Sequence, residues 1–258
     1  MCTVKFIWLR IFIFLAVVGF LVVRSLYPHT PPAQAAARKA VVVELFTSEG
    51  CSSCPPADIL LSQLREDKSL SGIEVIPLGF HVDYWNYLGW QDRFSSHAFS
   101  QRQEKYAARL SPDGPYTPQM VVDGAEQFVG NDSGRARSAI ARAAADSASA
   151  AIELTPASAD KLLVRVKAPA NASGDVLLAV TEDNLANKIG AGENSGRLLR
   201  HSAVVRDFRL LGQLHDGAFQ SEVSLKIEKD WKRADLRAVV FVQAPDNGKI
   251  VGAATLKL

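Results

Sequence analysis

The chain has 258 residues, 48% of them hydrophobic and 22% charged, with a formal charge of +2. That composition can bury one large core or two modest ones, and it excludes a disordered chain. The charge gives no reason to expect a nucleic-acid partner.

At the N-terminus, Lys5 and Arg10 precede an unbroken apolar run, Ile11 to Val23, and Ala33-Gln34-Ala35 offers a small-residue cleavage site. This is the pattern of a signal peptide over residues 1–35. The run is shorter than the roughly 20 residues of a spanning helix, but counting back to Phe6 lengthens it enough for an uncleaved anchor. Cleavage removes Lys5, Arg10 and Arg24 with no acid and leaves a chain of formal charge −1. The expected location is therefore periplasmic or secreted, or anchored in the inner membrane if the segment is kept. Cys2 leaves with the segment, so Cys51 and Cys54 are the cysteines of the mature chain, and an oxidising compartment is expected to join them.

The first buried strand is predicted over Ala40–Phe46, a β-branched apolar run. After Cys51-Ser52-Ser53-Cys54, Pro55 and Pro56 mark a helix first turn, and Ala57, Leu60, Leu61 and Leu64 repeat on one face. A second buried strand is expected at Glu74–Phe80. An aromatic segment with Tyr84, Trp85, Tyr87 and Trp90 follows, then a helix over Ser96–Leu110 whose apolar face is interrupted by Gln103. Tyr116-Thr117-Pro118 leads into a hairpin, Gln119–Val122, Asp123-Gly124 and a strand ending near Val129. Asn131, Asp132 or Ser133 caps a helix through Ala136–Ala145.

This order of strand, helix, strand, helix, hairpin and helix predicts an α/β thioredoxin-like domain over residues 38–149. From Ala151 the chain reads as short strands separated by Gly, Asn and Asp turns, which predicts a mostly β, sandwich-like domain over 150–258.

The dithiol carries the chemistry. A thiolate attacks a disulfide, and a helix start offers it unpaired N–H groups, so Cys51 is the expected nucleophile and Cys54 the resolving residue. Glu49 opposes a low thiol pKa unless it points away. Asp58, one turn past Cys54, is a candidate proton acceptor, although a solvated helix-surface carboxylate is the plainer expectation. Pro118, expected to be cis, and Thr117 are placed beside the sulfurs to hold an extended substrate chain. A structural bridge is the bland reading, but a loop this short gains only about 2 kcal/mol from closure. A closed zinc site lacks ligands, since only His81, His97, His201 and His215 remain.

The run V-E-L-F-T-S-E-G-C-S-S-C-P-P-A-D, with G-F-H-V-D-Y-W-N, Y-T-P-Q-M-V-V-D-G and a late V-V-F-V-Q, closely resembles a bacterial family of predicted exported proteins of unknown function. The resemblance spans nearly the whole mature chain and implies a thioredoxin-like first half. Compared with thioredoxin, Gly50 replaces the aromatic before the first cysteine and Ser53 the basic residue before the second.

The reading is an exported thiol-disulfide oxidoreductase-like protein that needs no cofactor and acts on protein thiols or disulfides. One alternative is copper handling by Cys51, Cys54 and His81. Another is a non-enzymatic binding module that uses the glycine-rich loop Ile189–Arg197 and His201.

Overall fold

The computed structural model describes residues 39–146 and 148–258; the expected signal segment 1–35, with Cys2, lies outside them. The first half runs β1 (Lys39–Thr47), α1 (Pro55–Leu64), β2 (Ile73–His81), α2 (His97–Leu110), β3 (Gln119–Val122), β4 (Glu126–Val129) and α3 (Ser133–Ala145). The second half is all strand apart from one 3-10 turn: β5 (Ala151–Ser158), β6 (Lys161–Lys167), β7 (Asp175–Glu182), β8 (Leu185–Lys188), β9 (Leu198–His201), β10 (Val204–Gln213), β11 (Ala218–Ser224), β12 (Leu236–Gln243) and β13 (Ile250–Lys257). No helix among the described residues is long and apolar enough to cross a membrane.

The expectation of an α/β thioredoxin-like domain followed by a separate sandwich is corrected by the sheet. Eight strands from both halves form one mixed sheet in the order β13-β12-β7-β10-β2-β1-β3-β4. The join is narrow. β10 runs parallel to β2 through the pair Val204 and Gly79, and Gly79 N–H donates to the Ala203 carbonyl at 2.7 Å. Elsewhere β1 and β2 are parallel over nine pairs, and β1 meets β3 antiparallel. The protein is thus mostly β, built on a sheet that crosses the boundary expected near residue 150.

The cores confirm this continuity. One face of β1 and β3 packs Val41, Val43, Leu45 and Met120 against Leu60, Leu61 and Leu64 of α1 and Ala136, Ala139 and Ile140 of α3. The other face joins Val42, Phe46 and Phe80 to Phe99 and Tyr106 of α2, together with Leu177, Val205, Val239 and Phe241 from the second half. A third core lies between the outer strands of the large sheet, through Val176, Leu178, Val180, Ala238 and Val240, and a three-stranded sheet β11-β6-β5 presenting Leu162, Val164 and Val166. Sheet-on-sheet packing is therefore present, but one of its sheets is the same sheet that carries β1.

Buried polar groups tie the halves. Glu44 on β1 accepts from Arg102 Nε at 2.5 Å and Nη2 at 2.9 Å, and from Tyr106 Oη at 2.6 Å. Gln243 on β12 accepts from Arg102 and donates to Tyr106. Gln103, the polar break in the α2 face, is fully buried and satisfied: it donates to the Tyr116 carbonyl and Gln119, and accepts from Tyr84. A buried polar residue is tolerated where each of its groups finds a partner.

Candidate functional site

Cys51 and Cys54 form a disulfide in the turn that leads from β1 into α1. Cys51 N–H donates to the Ser48 carbonyl and Cys54 N–H to the Cys51 carbonyl, both at 3.2 Å. Both cysteines are buried while Ser52 and Ser53 are exposed. The helix start offers fewer free donors than its position suggests. Pro55 and Pro56 occupy its first two positions and have no N–H, and the Ser52 N–H donates to Glu193 Oε2 at 3.0 Å.

Glu193 belongs to a hairpin that sequence periodicity does not reveal. β8 and β9 pair as a separate two-stranded ribbon, and their connecting loop lies on the dithiol turn. From it the buried Asn194 amide donates to the carbonyls of Glu49 and Cys51, both at 2.9 Å. The glycines of the loop allow this approach: a side chain at Gly190 would start 3.1 Å from the Trp90 ring, and Gly192 has φ +74°. The loop Ile189–Arg197, expected as a partner surface of its own, is thus part of the dithiol site.

Glu49 points inward, away from the sulfurs' solvent side. It is fully buried and takes hydrogen bonds from Trp90 Nε1 at 2.8 Å and Asn187 Nδ2 at 2.8 Å, and its Oε1 lies 3.1 Å from His201 Nε2. Beside it, His81 Nδ1 lies 2.7 Å from Asp92 Oδ2, and the same oxygen accepts the Glu49 N–H at 2.9 Å. The His81 and His201 rings stand edge to face, 4.9 Å apart. Burial opposes charge on His81, but Asp92 and the other carboxylates outweigh it and the imidazole pKa rises. For Asp92, burial is likewise outweighed by His81 and by hydrogen bonds, and its pKa falls. Both shifts favour the charged forms of this hydrogen-bonded pair.

Asp58 completes the cluster and corrects the expectation of a solvated carboxylate. It is 7% exposed, and its Oδ2 lies 3.8 Å from His201 Nδ1. Burial pushes its carboxyl up from the usual range, against the pull of His201 and His81. Its neighbour Ile59, which hydropathy would bury, is 56% exposed.

The Thr117-Pro118 peptide bond is cis. Thr117 Oγ1 accepts from Trp85 Nε1 at 2.8 Å, and the Pro118 carbonyl accepts from Gly130 N–H. Trp85 also explains Gly50, since a side chain there would begin 3.0 Å from Trp85 Cβ. Trp85 therefore links the turn before Cys51 to the segment holding Thr117. His81, the third ligand of the copper alternative, is buried against Asp92, and no group of three or more His, Cys, Asp or Glu among the described residues is arranged to hold a metal ion.

Fold and site define a mostly β protein with one mixed sheet and a Cys-X-X-Cys disulfide set over buried carboxylates and imidazoles. The chain belongs to the family described as protein of unknown function DUF1223, whose model matches residues 42–243. It is similar to the crystal structure of protein AGR_C_4864 from Agrobacterium tumefaciens, with 27% identity, 84% of this chain and 93% of that chain covered, and a TM-score of 0.69. A domain of the outer membrane lipoprotein Omp28 from Porphyromonas gingivalis aligns at 14% identity over 44% of this chain and 92% of that one, with a TM-score of 0.25, too low to carry an argument. Comparison with functionally curated proteins finds no match.

Proposed function

We propose that the protein exchanges thiols and disulfides with protein partners through Cys51 and Cys54. The observation that carries this reading is the placement of the disulfide: a short bridge at a strand-to-helix turn, flanked in sequence by the buried carboxylates of Glu49 and Asp58, which both approach His201. A bridge of three-residue separation restricts the unfolded chain little, so stability gives a weak reason for it. Buried ionisable clusters are costly and concentrate at functional sites.

In the proposed reaction a partner thiolate attacks Cys51 Sγ and the Cys51–Cys54 bond breaks towards Cys54. The partner's second thiol then displaces Cys51, leaving the partner oxidised and the dithiol reduced. The reverse sequence reduces a partner disulfide. The segment around Thr117 and Pro118, linked to the dithiol turn by Trp85, is the proposed seat of the partner chain. A bridge between the cysteines fits an oxidising compartment, so the proposed location is periplasmic or secreted, with anchoring if residues 1–35 are retained.

The test is a glutathione redox titration scored by alkylation of Cys51 and Cys54. A reversible two-electron transition between about −270 and −120 mV is expected for an exchange protein. A bridge that resists reduction below about −300 mV marks a structural disulfide and overturns the reading. Cys54→Ser should trap mixed disulfides that Cys51→Ser cannot form.

A further inference from the structure

Three carboxylates, Glu49, Asp58 and Asp92, and two imidazoles, His81 and His201, cluster around the segment that carries the disulfide, all buried. Four of the five have close partners. His81 is paired with Asp92, and Glu49 meets His201 Nε2 while accepting from Trp90 and Asn187. What remains is the second His201 nitrogen, Nδ1, which is buried with no hydrogen-bond partner among the described residues and faces Asp58 Oδ2 at 3.8 Å. Asp58 sits one turn beyond Cys54 on α1, at the spacing that places two side chains on one helix face, and its N–H donates to the Cys54 carbonyl at 3.1 Å.

We infer that Asp58 and His201 act together as the proton exchanger of the dithiol: Asp58 protonates the Cys54 sulfur as the disulfide opens, and His201 becomes the counter-charge of the carboxylate left behind. This rests on the thiol-exchange reading and extends it to a residue from the second half of the chain.

The proton and electron count closes. The step requires Asp58 to hold the proton while the disulfide is closed, with His201 Nδ1, unpartnered among the described residues, free to take one. When a partner thiolate attacks Cys51, the S–S electron pair goes to Cys54 Sγ, and the Asp58 proton follows it. His201 takes a proton from solvent at Nδ1, so the pair stays neutral overall as aspartate and imidazolium. Cys51 is then released by the partner's second thiolate and takes a solvent proton, which matches the two protons lost by the partner dithiol. Re-oxidation runs the same steps backwards, with Asp58 removing the Cys54 proton. His81, Asp92 and Glu49 face the pair from β2, from the loop after it and from the dithiol turn, and they take no part in the proton count. His201 is a positioning residue, because it acts on the sulfur through Asp58.

The decisive measurement is the redox-difference infrared spectrum of the protein with its disulfide opened by a phosphine, which needs no catalytic turnover. A carboxylic-acid band is expected to vanish on reduction and to shift when aspartate is 13C-labelled. It should be missing in Asp58→Asn and should persist after reduction in His201→Gln. If the unsubstituted protein shows no change in an aspartic-acid band, the inference is overturned, whether or not the variants fold. Dithiothreitol kinetics supply the second readout: Asp58→Asn should slow reduction of the disulfide at least about tenfold, and His201→Gln should move the pH profile of that rate upward. Unaltered rates and profiles in both folded variants overturn the inference. A normal infrared change in a protein that fails the glutathione titration removes the exchange function but leaves the proton coupling standing.

Discussion

The Asn194 side-chain amide donates to the backbone carbonyl of Cys51 at 2.9 Å, across 143 residues of sequence. The same nitrogen donates to the Glu49 carbonyl, so one buried side chain clamps the hairpin onto the dithiol turn. Asn194→Ala leaves two buried carbonyls short of a donor. It is expected to cost about 1–3 kcal/mol, read by urea unfolding. It should also speed reduction of the disulfide by dithiothreitol, because the turn is no longer held under the hairpin. A variant as slow to reduce as the unsubstituted protein would show that the hairpin does not control access.

Glu193 places a carboxylate on the Ser52 N–H, a donor that a Cys51 thiolate would otherwise compete for. The hydrogen bonds from Ser52 hold the Glu193 carboxyl below its usual range. Glu193→Gln removes the negative charge while keeping an acceptor oxygen. The Cys51 thiol of the reduced protein should then ionise at lower pH and alkylate a few-fold faster at neutrality. Because the carboxylate is exposed, the difference between the two proteins should shrink as salt is added.

The Arg102–Glu44 pair is buried, with Glu44 fully enclosed and bonded by Tyr106 as well. Arg102→Met strands the Glu44 charge and should cost about 3–5 kcal/mol, while adding Glu44→Met should recover much of it. Since Gln243 of β12 shares this network, both halves of the chain should unfold in one transition, before and after substitution. Circular dichroism and tryptophan fluorescence in the same urea series test that directly.

Asp123, in the turn after β3, accepts the Val42 N–H at 2.8 Å, and burial lifts its carboxyl pKa to about 6 despite that bond. The folded protein therefore holds this proton more tightly than the unfolded chain. The resulting stabilisation is complete below the unfolded value of 3.8 and is lost as pH rises through about 6. Asp123→Asn keeps the acceptor and suits the positive φ of 44°. Its stability relative to the parent should be level at low pH and exceed it by about 3 kcal/mol above pH 7. A constant difference across pH would show that Asp123 titrates normally.

Most strands of this protein are legible in its sequence as apolar or alternating runs, but the short β8 and β9 are not. Residues 119–122 are read to the residue, and Lys39–Thr47 within one at either end. The partner of each strand is not legible. β2 is apolar and buried along most of its length, and hydrophobicity reports that its faces are covered without reporting which strand takes its edge. The union of β2 and β10 rests on one parallel pair and a glycine, and through it the large sheet continues past the boundary expected near residue 150.

At the site, the cysteines stand out by spacing and Thr117-Pro118 by its place before a hairpin. Glu193 and Asn194 are legible only as members of the glycine-rich loop offered as a partner surface, because polar residues in such a loop are what solvent would select, and Asn187 on β8 gives no signal. Asp58 and Ile59 mislead in a more informative way. The buried carboxylate and the exposed isoleucine reverse the hydropathy rule on adjacent positions of α1, and such local violations concentrate where function outweighs stability. His201 gives a weak signal of its own: it ends a short strand with alternating burial, on the inward side.

The narrow seam between β2 and β10 also sets the order in which the chain can mature. As the polypeptide emerges from N- to C-terminus, β1, β2 and β3 are available long before Val204 arrives to cover the outer edge of β2. Until then that edge presents unpaired N–H and C=O groups to any neighbouring strand, the usual template for mispairing and aggregation. His201 and Asn194 are equally late. A nascent or truncated chain ending before the hairpin therefore carries its cysteines without the Asn194 clamp and without the imidazole that faces Asp58, and the surroundings of the disulfide are complete only when the second half has been delivered.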